Sequence, residues 1–164
     1  MRKVSSVVNL LGMFLFVLFS TSAIAAENAS DFNLPTKDGT IQLSGLRGRV
    51  VYLDFWASWC PPCRKSFPWM EEMYQRYEKQ GLTVVAVNLD KDKALADKFL
   101  ETMPAKFTVA FDPQGKVAEQ YRLQGMPTSY LIDRQGRIHS SHIGFRESDT
   151  GKLESVIKSL LTSK

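Results

Sequence analysis

The residues best able to do chemistry are Cys60-Pro61-Pro62-Cys63, and these are the only two cysteines among 164 residues. Two thiols at this spacing can cycle between a dithiol and a disulfide. The preceding run Val50-Val51-Tyr52-Leu53-Asp54-Phe55-Trp56 reads as a strand buried on both faces, and Pro61 to Gln80 reads as a helix that stops at Gly81. Prolines cost nothing at the first helical positions, because the N–H groups there have no partner within the helix. Cys60 therefore falls at a helix N-terminus, where free amides and the helix dipole stabilise a thiolate. Cys63 lies one turn inside, on a core-facing stripe with Phe67, Met70, Tyr74 and Tyr77. This layout gives Cys60 the attack on a disulfide and Cys63 the resolution of the mixed disulfide.

Other readings of these residues stand beside that one. A structural disulfide is one, although so short a loop removes little entropy from the unfolded chain. A metal site is another, although two thiolates with no neighbouring His or third Cys leave the shell incomplete. Asp54, six residues before Cys60 in an apolar strand, would be costly to keep charged and dry. It reads either as a structural hydrogen-bonding group or water-facing edge residue, or as a buried acid of raised pKa. In the second reading it takes the proton from Cys63 as that thiol attacks, and returns it in the reverse direction. His139 and His142 fall on opposite faces of a strand and are expected to be solvent-side residues. Trp56 reads as core and Trp59 as the border of a groove.

Elements of ordinary length position these groups. Asp31 to Arg49 reads as a small hairpin turning at Lys37-Asp38-Gly39-Thr40. Leu82 to Leu89, Phe107 to Phe111 and Thr128 to Ile132 read as further strands. Lys91 to Met103, Gly115 to Leu123 and Asp149 to Leu161 read as helices, and Asp133-Arg134-Gln135-Gly136 turns the chain into a strand from Arg137 to Phe145. Strands alternate with helices until a terminal hairpin, so the expected fold is α/β, with a central mixed sheet and helices on both faces. With 44% hydrophobic and 23% charged residues the chain can bury a core, which excludes wholesale disorder and a multi-span membrane protein. The net charge of +4 is interspersed and forms no basic arm, so nucleic-acid binding gets no support. No cofactor is implied.

At the amino terminus Arg2 and Lys3 precede an apolar stretch from Val7 to Phe19 and then Ala23-Ile24-Ala25. That is the layout of a secretory signal peptide, expected to be cleaved near Ala25 and to leave no membrane span. Residues 1–25 are thus read as the signal and 26–164 as one domain. Export would place the dithiol in an oxidising compartment, where it stays reduced only if something supplies electrons.

The string Asp54-Phe55-Trp56-Ala57-Ser58-Trp59-Cys60-Pro61-Pro62-Cys63, with Pro68 and Met126-Pro127-Thr128, resembles the active-site strand, redox motif, helix proline and cis-proline loop of the thioredoxin fold. Phe32-x-Leu34, Asp38-Gly39, Leu43, Leu46 and Gly48, with about 36 residues between Asp90 and Pro127, are similar to the exported TlpA/ResA-like branch, which has an N-terminal hairpin and a central insertion. The resemblance covers about Phe32 to Leu161. It implies that Pro127 is cis and faces the cysteines, that the Met126 backbone pairs with an extended substrate, and that Trp59, Pro62, Thr128 and Gly144 contribute to the same groove. It also implies a periplasmic reductase of protein disulfides, such as those of apocytochrome c or copper-site precursors, with electrons from a membrane donor. A dithiol oxidant or isomerase and a copper chaperone are the alternatives. Two positions depart from the branch. Ser66 stands where many members have Glu, and Asp54 stands where Asn is frequent. Ala86 replaces thioredoxin's neighbouring lysine, so Asp54 is expected to lack a cationic partner. The Thr and Arg of a peroxide-reducing site have no counterpart in Ala57-Ser58-Trp59.

Overall fold

The computed structural model describes residues 27–163; the expected signal segment, residues 1–25, lies outside them. Seven strands form one sheet: β1 (Asn33–Thr36), β2 (Gly39–Gln42), β3 (Val50–Trp56), β4 (Leu82–Asn88), β5 (Thr108–Phe111), β6 (Thr128–Ile132) and β7 (Ile138–Ile143). Their spatial order is β2-β1-β5-β4-β3-β6-β7. The centre is parallel, β3 on β4 and β4 on β5, while β6 and β7 run antiparallel on one side and the β1–β2 hairpin on the other. The helices are α1 (Pro61–Tyr77), α2 (Lys93–Thr102), α3 (Lys116–Gln120) and α4 (Thr150–Thr162).

All seven residues of β3 are buried, as its near-continuous apolar run requires of a strand covered on both faces. On one face Tyr52 and Trp56 pack with Phe67 and Met70 of α1, Phe99 of α2 and Ile157 of α4. On the other, Leu53 and Phe55 pack with Val85, Val117, Tyr121 and the N-terminal Phe32 and Leu34. The expected mixed sheet with helices on both faces is therefore present. The stretch from Asp90 to Pro127, read as carrying an insertion, holds α2, β5 and α3, and β5 joins the hairpin to the rest of the sheet.

Several boundaries are tighter than the sequence pattern suggests, for local reasons. The first long helix gives way to a 3-10 turn at Glu78–Gln80, because the chain tightens before Gly81, whose φ of 107° ends it in the left-handed region. The second starts at Lys93, where the Asp92 carboxylate caps the Ala94 N–H at 3.0 Å. The third is five residues long: Asp112 gathers its start by accepting from the amides of Lys116, Val117 and Ala118, and Arg122, with φ 49°, turns left-handed and ends it early.

Candidate active site

Cys60 caps α1 and Cys63 sits in its first turn, with Cα atoms 5.3 Å apart and the two sulfurs joined. The Cys63 amide donates to Cys60 Sγ at 3.3 Å, so the helix terminus offers an N–H to that sulfur. The two residues are unequal in access. Cys60 is 3% exposed at the mouth of a groove, whereas Cys63 is fully buried beneath it. Ser66 is also buried and returns its hydroxyl to the Cys63 carbonyl at 3.0 Å, so no carboxylate stands at that position.

The groove has a volume of about 770 Å³ and is lined by Trp59, Cys60, Pro62, Leu89, Leu123 and Met126, with Glu119 and Arg122 among its polar rim. Trp59 is 65% exposed, the most open aromatic beside the pair, while Trp56 is wholly buried. The Met126–Pro127 peptide is cis. Gly144, with φ 81°, turns the chain at the end of β7 so that its amide reaches the Pro127 carbonyl at 2.7 Å. Thr128 takes a different place from the one expected: it is buried, and its hydroxyl donates to the Gly125 carbonyl at 2.7 Å, bracing the proline turn from behind. A methyl and hydroxyl pinned inside the turn cannot also form groove wall.

Asp54 lies on the face of β3 that carries Tyr52 and Trp56, against which the Cys63 side of α1 packs. It is 1% exposed, and its Oδ2 has no hydrogen-bond partner. Burial pushes its carboxyl well above the usual carboxylate range. Its partner across the parallel ladder is Ala86, and across the antiparallel one Ser129. Tyr52, two residues earlier on the same face, is also pushed up by burial and secondarily by the Asp54 charge.

The loop entering the helix is held by residues that motif reading passes over. Asp90, just beyond β4, accepts from the Ser58 amide at 2.9 Å, the Ser58 hydroxyl at 3.0 Å and Asn88 Nδ2 at 2.8 Å. Arg64 donates to the Ser58 carbonyl at 3.3 Å. A signal was available in a charged residue directly after an apolar strand at the sheet's carboxyl edge, where open α/β sheets place their sites. His139 is exposed as expected, but His142 is half-buried and its Nε2 lies 3.4 Å from Asp149 Oδ2, because Asp149 follows β7 and folds back over it.

A thioredoxin-type sheet that delivers a disulfide-forming pair to a helix N-terminus, facing a cis-proline loop, defines a thiol–disulfide oxidoreductase of thioredoxin fold. The chain belongs to the AhpC/TSA family, whose model matches residues 25–141. Among curated relatives, the thiol-disulfide oxidoreductase ResA of Oceanobacillus iheyensis is 38% identical over 117 residues, 68% of this chain and 61% of that one. The chain thus spans under two thirds of that relative's length. ResA of Geobacillus thermodenitrificans is 36% identical over 132 residues, covering 78% of this chain and 76% of that one. Among solved structures, a candidate thiol:disulfide interchange protein DsbE from Chlorobium tepidum is 54% identical with a TM-score of 0.82, covering 83% of this chain and 96% of that one. Among the described residues no helix is long and apolar enough to cross a membrane.

Proposed function

We propose that the protein reduces disulfides in exported protein substrates, working in the periplasm after loss of its signal segment. The observation that carries this reading is the unequal burial of the pair: Cys60 opens on the groove and Cys63 lies sealed behind it. A substrate disulfide laid along Trp59, Pro62 and Met126, with its backbone beside Pro127 and Gly144, is attacked by the Cys60 thiolate. A mixed disulfide forms and the first substrate sulfur leaves. Cys63 then loses its proton to Asp54 and attacks Cys60 Sγ, which releases the second substrate sulfur and closes the Cys60–Cys63 disulfide. The substrate gains two electrons and the enzyme loses two, so a membrane dithiol donor must restore the pair. The ResA and DsbE relatives support thiol–disulfide exchange, and the sequence resemblance to the TlpA/ResA-like branch favours the reducing direction and clients such as apocytochrome c or copper-site precursors.

The reduction potential tests the direction. Values run from about −270 mV for thioredoxin to about −120 mV for a strong oxidant. A potential near the lower figure is expected, and one near the upper figure would overturn the reductase reading in favour of disulfide formation or isomerisation.

A further inference from the structure

Asp90 is a buried acid that the exchange chemistry above does not use. It is 3% exposed, and its side-chain oxygens accept three hydrogen bonds. Oδ2 takes the Ser58 amide and Asn88 Nδ2, and Oδ1 takes the Ser58 hydroxyl. Asn88 in turn accepts from the Asp90 amide at 3.0 Å, so the two residues lock each other at the end of β4. No Lys, Arg or His side chain among the described residues lies within ion-pair distance of it. Its side chain is instead bonded to Ser58, two residues before Cys60.

That peptide is gripped from both ends. Its N–H points to Asp90 and its carbonyl receives Arg64, whose guanidinium also lies over the Phe99 ring at 5.0 Å. The loop is fastened further by the Leu89 amide, which donates to the Trp56 carbonyl at 2.9 Å, and by the Cys60 amide, which donates to the Ala57 carbonyl at 3.1 Å. The residues that set the position of Cys60 are thus bonded to one negative and one positive side chain on opposite sides. Other titratable groups near the pair are Glu119 and Arg122 across the groove from α3 and the turn after it, and the buried Asp54 on β3, whose charged form burial disfavours.

We propose that Asp90 is a positioning residue of the redox site: it fixes the Ala57–Trp59 loop, and its buried charge opposes the Cys60 thiolate and so favours the disulfide form of the pair. The opposite pull comes from the helix N-terminus and Arg64. Whatever stabilises the thiolate stabilises the reduced pair and makes it a stronger oxidant, so a fixed carboxylate beside the loop biases the pair towards reducing its partners. The inference rests on the reading of Cys60 and Cys63 as a redox pair and deepens it by naming a residue that sets its poise.

The test compares Asp90→Asn and Arg64→Gln with the wild-type protein. Cys60 is titrated by its ultraviolet thiolate absorbance, and the potential is measured in glutathione buffers. Asp90→Asn keeps an acceptor for the Ser58 amide while removing the charge. It should lower the Cys60 pKa and shift the exchange equilibrium about tenfold towards the reduced pair, about 30 mV more oxidising. Arg64→Gln, at an exposed position, should move both quantities the other way. Unchanged values in a folded Asp90→Asn protein, or two shifts of the same sign, would overturn the proposal. Should Asp90→Asn not fold, the direction of the Arg64→Gln shift decides. The wild-type potential alone judges the reductase reading, and only the differences between variants judge this one.

Discussion

Asp54 and Ala86 are paired Cα to Cα across the parallel β3–β4 ladder, so the buried acid faces a methyl group where a cation would otherwise steady its charge. No cation offsets the cost of drying that carboxyl, and burial raises its affinity for a proton well above that of an ordinary carboxylate. This makes it a suitable partner for a buried thiol, which also gives up its proton reluctantly.

Asp54→Asn is therefore expected to slow the attack of Cys63 on the mixed disulfide by roughly a hundredfold or more, in keeping with the loss of a general base. The pH dependence of that step should flatten as well. Rapid-mixing kinetics of mixed-disulfide decay across pH measure both, and an unchanged rate and profile would remove Asp54 from the mechanism.

The same substitution has a stability consequence whose sign follows from linkage. Between its unfolded and its raised folded pKa the acid is ionised only in the unfolded chain, so stability falls as pH rises through that window and levels off above the folded pKa. Asp54→Asn should match the wild type near pH 4 and become the more stable protein as pH rises, by about 1.4 kcal/mol for each unit of the window crossed. Denaturant unfolding of the oxidised proteins at a series of pH values tests this.

Cys63→Ser should trap substrate proteins as mixed disulfides on Cys60, because the group that resolves them is gone, whereas Cys60→Ser should trap none, since Cys63 is sealed from the groove. Non-reducing electrophoresis of periplasmic extracts shows the adducts. Loss of bound copper without any adduct would favour the chaperone reading.

Asp112→Ala removes the acceptor that gathers the first amides of α3, and the helix loses about 1–3 kcal/mol of support. Ala118 and Glu119 of that helix border the groove, so KM for a protein disulfide should rise while reactivity of Cys60 with a small disulfide stays near wild type. An equal loss with both substrates would contradict the role of α3 as groove wall.

Phe67→Ala opens the cluster in which Phe67 meets Trp56, Phe99 and Phe107 at ring-centroid distances of 4.6, 4.8 and 5.5 Å. Truncating a buried Phe costs about 3–5 kcal/mol. Chemical denaturation gives the value, and a loss below about 1 kcal/mol would mean that α1 is seated by other contacts than these.

Much of this was legible in the chain itself, because the signals are local. The β3 run is apolar at nearly every position, the prolines fix where α1 begins, and the stripe from Cys63 to Tyr77 points one way. Asp54 stands out because it violates its strand. The place of Asp90 at the end of its strand was readable, but its pairing with Ser58 was not, since it joins residues 32 positions apart that meet only once β4 pairs with β3. Thr128 misled for a related reason. Motif position puts it beside Pro127, but the alternation of β6 turns its side chain inward. The end of α3 was drawn too late because Arg122 turns left-handed at φ 49°, which its residue type does not announce.

The pair at the mouth of α1 holds all of the protein's sulfur of this kind: there is no third thiol to accept the disulfide or pass it on. One chain therefore carries a single two-electron charge. In the proposed reducing direction, without a donor it is a stoichiometric reagent that should reduce one disulfide per molecule and stop, and repeated turnover then depends on the donor as much as on the protein. The burst amplitude, counted in substrate thiols released per chain, reads that capacity directly.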